Sequence, residues 1–357
     1  MDTVKQTKSA ALYEYLLNYM RENHLKAGDK FFTEAELVKK FGVSRITVQS
    51  AFKQLQDGNY LHRKRGSGTY VTGKHNPMVS GDIKIVPLVI AYDSKITREF
   101  EIIKGVESFF HQHGIYLTLH PSKADFNYER AVVSELAERF DCMLILPSCS
   151  AYNKDLYSSL INRGKTLVFI DHFINGLSVN YVASDNIRGG YLATKHLCDL
   201  GHRRILLVSP GGFNAFSSFK SRYQGYKNAL EELNIPLDPA LVYEDNGEGE
   251  SKVVEYIKSF PIETRPTGIF VLNDINAVKL LAALEEGGFS VPEDFDMVGF
   301  DNLDILLKQN EAVATVEQDF FRMGYLAAQT LYEKMSDTDD TVTVKKLPVK
   351  LVKRRTD

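Results

Sequence analysis

FGVSRITVQSAFKQLQDGNYLHRKRGSGTYV, residues Phe41–Val71, passes from a helical apolar pattern into a basic turn bounded by glycines. Gly42 closes one helix and Ser44 caps the next, whose apolar stripe is Val48, Ala51, Phe52 and Leu55 until Gly58 stops it. Upstream, Leu12, Leu16, Tyr19 and Met20 recur at helical spacing, which predicts a first helix ending near Asn23. Thr33 and Glu36 stand at the spacing of a capping box, so a short helix runs from there to about Phe41. Two helices joined by FGVS make a helix-turn-helix. At about 100° per residue, Gln49, Ser50 and Lys53 turn away from the stripe, with Arg45 and Thr47 on its flanks. Arginine matches a guanine edge, glutamine an adenine edge, and threonine a thymine methyl or a phosphate. A solvated helix face is the plain alternative for that helix taken alone.

YLHRK and GTYVT then flank Arg65-Gly66-Ser67-Gly68 as the arms of a hairpin. Gly66 and Gly68 let the backbone approach a phosphate or enter a groove, while Arg63, Lys64 and Arg65 supply counter-charge. The stretch therefore reads as a recognition helix followed by a wing. A dinucleotide-binding glycine loop needs a buried strand before it and a helix after it, and the sequence offers neither.

The charge distribution agrees. Residues 1–73 carry 12 Lys+Arg against 7 Asp+Glu, whereas the remaining 284 carry 31 against 39. A basic module on an acidic body suits a polyanion-binding unit. At 357 residues, 44% hydrophobic and 25% charged, the chain is long enough for two or three folding units with ordinary globular cores. No apolar run approaches the ~18 residues of a membrane span, and the first 20 residues lack a secretion signal, so the expected location is the cytoplasm. Cys142, Cys149 and Cys198 have no metal-type spacing, and no disulfide framework is expected.

TGKHNPMVSGDIK, Thr72–Lys84, reads as a linker. Beyond it, IVPLVIAY, IYLTL, CMLILP, TLVFI, RILLVS, TGIFVL and DMVGF alternate with amphipathic stretches such as Glu99–His113 and Ile187–Leu200. Strands alternating with helices predict an α/β parallel sheet in two doubly wound lobes, with ligands beyond the C-terminal strand ends. Those loops carry Asp171, Asn273, Asp274, Asp301 and Asn302. For each alone, a helix cap is the commoner role. Arg222 is read at the first turn of a helix, where a cation opposes the dipole, which suggests an anionic or hydroxyl-rich partner. Phe213, Phe216, Phe219 or Tyr92 would supply aromatic walls.

The motifs TEAEL, FGVSRITV and GSGTYV, in that order, resemble the winged helix of the gluconate-repressor (GntR) family of bacterial transcription factors over about Ser9–Thr72. Phe32-Thr33-Glu34 stands where that family usually has Pro-Ser-Glu, Ala35 where a basic residue is common, and Gln49 where Arg is usual. The family's base preference is therefore not carried over. VASDNIRGGYLATKHLCDLGHRRILLV, SRYQGYKNALEE, TGIFVLND, MVGFDN and ATVEQDFFRMG resemble the periplasmic-binding-protein-like effector domain of the lactose- and galactose-repressor family, over roughly Ile85–Val352. That resemblance implies sugar contacts at Arg222 and Asp301, and at Asn273, Gln318 and Asp171. Asp185, Gly189, Gly190 and His202 look structural. The hybrid layout resembles the arabinose-repressor branch of the GntR family.

An enzyme would need a metal-ligand spacing, a P-loop or a G-x-S-x-G motif, and none occurs; His111 and His113 do not form a metal pair. An exported solute-binding protein would not carry the winged helix. The expectation is an α/β protein with no cofactor and no metal: a winged helix-turn-helix over 1–73, a linker over 74–84, and a two-lobed effector and dimerisation domain over 85–357. The expected DNA contacts are Thr33, Arg45, Thr47, Gln49, Ser50, Lys53, Arg63, Lys64, Arg65, Gly66 and Gly68. The expected effector contacts are Tyr92, Asp171, Phe216, Arg222, Asn273, Asp301 and Gln318. The expected partners are double-stranded operator DNA, a small sugar or sugar phosphate, and a second copy of the chain.

Overall fold

The computed structural model describes residues 8–23, 25, 28–57, 60–64, 67–72, 84–91, 97–149, 152–213, 216–245, 247–303, 313–336 and 341–353. Gly58, Arg65, Gly66, Tyr92 and nearly all of the expected linker lie outside the described residues. The chain divides into two units, Met1–Lys84 and Ile85–Asp357.

In the first unit, α1 (Lys8–Glu22), α2 (Glu34–Phe41) and α3 (Arg45–Asp57) precede a hairpin of β1 (Leu61–Lys64) and β2 (Gly68–Val71). Thr33 and Glu36 form the capping box: Glu36 N donates to Thr33 Oγ1 at 3.3 Å, and Thr33 N to Glu36 Oε2 at 2.7 Å. Gly42 ends α2 in the left-handed region at φ 62°, where a side chain would be strained. Ser44 Oγ accepts from Thr47 N at 3.2 Å and so starts α3. Leu16, Leu37, Val48, Ala51 and Leu55 are wholly buried together, which fixes the rotation of α3 about its axis. Its opposite face is left to solvent.

The second unit contains two six-stranded sheets. The first lobe holds β3 (Lys84–Ile90), α4 (Thr97–Gln112), β4 (Ile115–Pro121), α5 (Phe126–Ala137), β5 (Cys142–Ile145), α6 (Lys154–Asn162), β6 (Thr166–Ile170) and β7 (Asn180–Ser184). The second holds α7 (Asn186–Asp199), β8 (Ile205–Ser209), α8 (Ser217–Glu232), β9 (Val242–Glu244), α9 (Glu250–Ser259), β10 (Gly268–Val271), α10 (Asp274–Glu286), β11 (Asp296–Asp301) and β12 (Ala314–Glu317). The chain then returns to the first lobe with α11 (Phe320–Ser336) and β13 (Val344–Leu347), and ends in the second with β14 (Lys350–Val352). The sheet orders are β13-β7-β6-β5-β3-β4 and β14-β12-β11-β10-β8-β9. Strands β8, β10, β11 and β12 run parallel, as do β3, β5, β6, β7 and β13, while β14 pairs antiparallel with β12. Three passages between the lobes make a hinge, and the C-terminal ends of both sets of strands supply the loops that carry the polar residues.

Two helix pairs are pressed together through glycine. A Cβ on Gly190 of α7 would lie 2.8 Å from the Arg222 carbonyl carbon of α8 and closer still to its oxygen; Gly225 meets the Ile187–Tyr191 backbone in the same way. Gly105 of α4 and Gly324 of α11 form the matching contact in the first lobe. Asp185 caps α7 by accepting from Arg188 N at 3.0 Å. His202 bridges Thr267 and Asp296, each at 2.8 Å.

Candidate functional site

On the winged helix, Arg45, Gln49, Ser50 and Lys53 are exposed along α3, with Thr47 half-buried. Thr33 is exposed but engaged in its cap. In the hairpin, Arg63 pairs with Thr69 and Lys64 with Gly68, and Lys64 Nζ lies 5.4 Å from the Tyr70 ring centroid. Gly68 has φ 127°, the turn conformation its residue type permits.

Two features of this face escape sequence patterning. Glu34, at the start of α2, accepts from Gln49 Nε2 at 3.2 Å, bonds Arg63 Nη2, and lies 3.6 Å from Arg45 Nε. Burial opposes its ionisation, yet the bonds from Arg63 and Gln49 hold its carboxyl below the usual range. One carboxylate thus ties the wing to the recognition helix and sets where Arg45, Gln49 and Arg63 point. Its partners lie 15 and 29 residues away, beyond any local periodicity. Ile46, 78% exposed on the first turn of α3, is an apolar side chain of the kind that meets thymine methyls.

The second constellation lies at the strand ends of the effector unit. Asp171 follows β6 at φ 64° and Asp301 ends β11 at φ 119°, both in a region that ordinary side chains avoid. Each is 2% exposed. Asp301 Oδ1 accepts from Gln318 Nε2 at 2.6 Å and stands 3.5 Å from Arg222 Nη2. Arg222 is also buried, bonded through Nε to Asn186 Oδ1 at 2.8 Å and through Nη1 to the Leu272 carbonyl, with its guanidinium 3.6 Å from the Phe300 ring centroid. It is the sixth residue of α8, one turn later than expected, so the helix dipole does not account for it. The neighbouring chains hold it instead. Asn273 caps α10 by accepting from Asn276 N at 2.8 Å. Asp274 spends both oxygens, on Thr315 Oγ1 at 2.8 Å and Leu303 N at 2.9 Å, and so braces the segment after Asp301.

Among the proposed aromatic walls, Phe216 packs on His172 at 4.8 Å between ring centroids, Phe213 stacks on Tyr223, and Phe219 is core. His172 Nδ1 lies 3.2 Å from Ser218 Oγ, and Phe173 N donates to Ser217 Oγ at 2.9 Å. These contacts join the loop after β6 in one lobe to the start of α8 in the other. Arg98, at the start of α4, was not foreseen; its charge acts on both Asp171 and Asp301.

Burial raises the Asp301 carboxyl to about 6, against the pull of Arg222 and Arg98. Asp301 therefore favours the folded state fully below about 3.8, and that contribution is lost as the pH rises through about 6. His172 works the other way. Burial lowers it to about 4, so stability tied to its neutral form is present above 6.5 and is lost as the pH falls towards 4. Burial would raise Asp171, but His172 when protonated, and Arg98 and Arg222 throughout, hold it low. Of the cleft side chains, Asp171 Oδ1, Asp301 Oδ2 and Gln318 Oε1 are buried without a hydrogen-bond partner, as is Glu99 Oε2.

Residues 8–71 match the gntR family of bacterial regulatory proteins, and residues 194–356 match the periplasmic binding protein-like domain. The arabinose metabolism transcriptional repressor of Halalkalibacterium halodurans is 30% identical over 336 residues, 91% of this chain and 88% of that protein. The chain belongs to the GntR family. This GntR-family chain is also 31% identical to the transcriptional repressor PurR of Vibrio atlanticus over 259 residues, 72% of this chain and 76% of that one. A LacI family transcriptional regulator from Enterococcus faecium, solved with bound ribose, superposes with TM-score 0.63 at 26% identity, covering 76% of this chain and 97% of that one. The protein is accordingly a DNA-binding transcriptional regulator and not an enzyme. Among the described residues, no helix is long and apolar enough to cross a membrane.

Proposed function

We propose that this GntR-family regulator is a cytoplasmic, homodimeric repressor of carbohydrate-utilisation genes, whose operator affinity is set by a small sugar-like effector bound at the strand ends of its two-lobed unit. The observation that carries this reading is the set of buried carboxylate and amide oxygens around the Arg222–Asp301 pair, since oxygens left unpaired there suit ligand hydroxyls. Asp171, Arg222, Asp301 and Gln318 would hold the effector, with Asn273 at the rim and Phe216 as a wall. Tyr92 belongs to the same proposal. The repressor assignment draws on the relatives' printed roles. Pairing of two copies would match a palindromic site, one winged helix giving limited contact.

On the DNA side, Arg45 and Gln49 would read bases and Ile46 a thymine methyl. Thr33, Thr47, Ser50, Lys53, Arg63 and Lys64, with Arg65, Gly66 and Gly68 of the wing, would serve phosphates or groove shape. Gln49→Arg is expected to change the preferred base at one position per half-site, by ~1–3 kcal/mol of discrimination. An unchanged selected-site logo removes Gln49 from the base-reading set. Lys64→Ala should instead weaken all sequences together and flatten the salt dependence.

The effector side is tested by calorimetric titration of the full chain with free sugars. A hydroxyl donating to Asp301 needs the ionised carboxylate, and Asp301 loses its proton only above about 6. Sugar affinity should therefore fall about tenfold between pH 7 and pH 5. Affinity that is flat across that range contradicts a hydroxyl bond to Asp301.

A further inference from the structure

We propose that Glu99 is an effector-binding residue that sets specificity, selecting donor-rich ligands without anionic groups (free polyols or their amino derivatives) over phosphorylated or acidic sugars. This rests on the reading of the strand-end cleft as a sugar site. Glu99 stands in the first turn of α4 and is 2% exposed. Its Oε1 accepts from Arg98 Nε at 2.5 Å, while its Oε2 is buried with no partner. Arg98, which this carboxylate holds, has its charge acting on both Asp171 and Asp301, which sets Glu99 beside the cleft. Gly105 of α4 packs against Phe321 and Tyr325 of α11, and Gly324 against Ile102, so the first half of α4 lies against the start of α11. Gln318, which bonds Asp301, immediately precedes α11.

The chemistry of the unpartnered atoms then points one way. Glu99 Oε2, Asp171 Oδ1 and Asp301 Oδ2 are carboxylate oxygens. Gln318 Oε1 is an amide oxygen, its orientation fixed because Nε2 donates to Asp301. All four accept hydrogen bonds and none donates, so a ligand that completes them must bring hydroxyl or ammonium donors. The cations are largely engaged. Arg222 is divided among Asn186, Leu272 and Asp301, and Arg98 Nε is held by Glu99, which leaves the outer amino groups of Arg98. Against those, a phosphate here would face three carboxylates, and like charges in a buried site are strongly unfavourable.

The test is calorimetric titration of the full chain with D-ribose, L-arabinose, D-galactose and D-galactosamine, beside ribose 5-phosphate and galactose 6-phosphate. The same set is run on Glu99→Gln. The expected result is binding of at least one free sugar, with its phosphorylated counterpart at least tenfold weaker, and a gap that narrows at least fivefold in Glu99→Gln. Galactosamine binding above galactose would assign the Glu99 subsite to an ammonium, and the reverse order to a hydroxyl; either order keeps the inference. A phosphorylated sugar that binds as well as the free one, for instance on the outer amino groups of Arg98, overturns the inference and leaves the sugar reading standing. Equal weakening of free and phosphorylated sugars in Glu99→Gln also overturns it, because a purely structural carboxylate would act on both alike. Binding of none of the six overturns the sugar reading and the inference together. The wild-type comparison decides the ligand class even if the variant does not fold.

Discussion

Asp301→Asn is expected to abolish the response to the effector while leaving the protein as stable as the wild type, or more so, at pH 8. The substitution keeps the size of the side chain and the acceptor for Gln318 but removes a carboxylate whose ionisation burial resists, its pKa standing at about 6. Truncating one side of a charge-assisted hydrogen bond costs ~1.5–3 kcal/mol, a ten- to hundredfold loss of ligand affinity. Arg222→Ala should behave differently. The Arg222 side chain fills a buried space against Phe300 and satisfies Asn186, the Leu272 carbonyl and Asp301 at once. Its removal leaves the Asn186 and Leu272 oxygens without that donor and the Asp301 charge without its closest cation, at a cost of roughly 3–5 kcal/mol. Thermal melts of both variants, read beside sugar titration, separate the two cases. Wild-type sugar affinity in Asp301→Asn would take that residue out of the site.

Gly190→Ala is the second large effect. The added methyl has no room, because it would enter the backbone of Arg222 itself. Either α7 and α8 separate or Arg222 moves, so stability and sugar binding should fall together. Overpacking against backbone costs roughly 3 kcal/mol, which lowers the melting temperature by roughly 6 °C or more. Gly212→Ala is the control, since its Cβ would rest 3.4 Å from Glu244 Oε2 in ordinary contact. A Gly190→Ala protein that melts within a degree of wild type would show that the helices slide apart freely.

The winged helix was legible almost residue by residue, because its signals are local: the Thr33–Glu36 box, the Gly42 stop and the Ser44 cap each act within four residues. The long apolar runs likewise announced β3, β4, β5, β6, β8, β10 and β11. Strands β7, β9, β12, β13 and β14 passed unnoticed because they interrupt their apolar residues with polar ones and lie at sheet edges or lobe crossings. In the cleft, the candidates came from their positions after apolar runs and from the family resemblance. What neither supplied was the partnership between them. Arg98 carried no signal, Glu99 only opened an amphipathic stretch and Glu34 only sat in the TEAEL motif, because a side chain's role is set by contacts whose sequence separation the pattern does not encode.

A molecule bound at the strand ends is expected to alter how the winged helix holds DNA. A ligand can do so only through unequal affinity for two arrangements of the protein, and allosteric coupling of this kind is typically ~1–3 kcal/mol. The most direct measurement is fluorescence anisotropy of a labelled, selected operator titrated with the full chain, with and without a sugar shown by calorimetry to bind, at saturating concentration. The sugar is expected to shift the operator dissociation constant at least fivefold in the wild type and to leave it unmoved in Asp301→Asn. Superimposable wild-type curves with and without the bound sugar would contradict it.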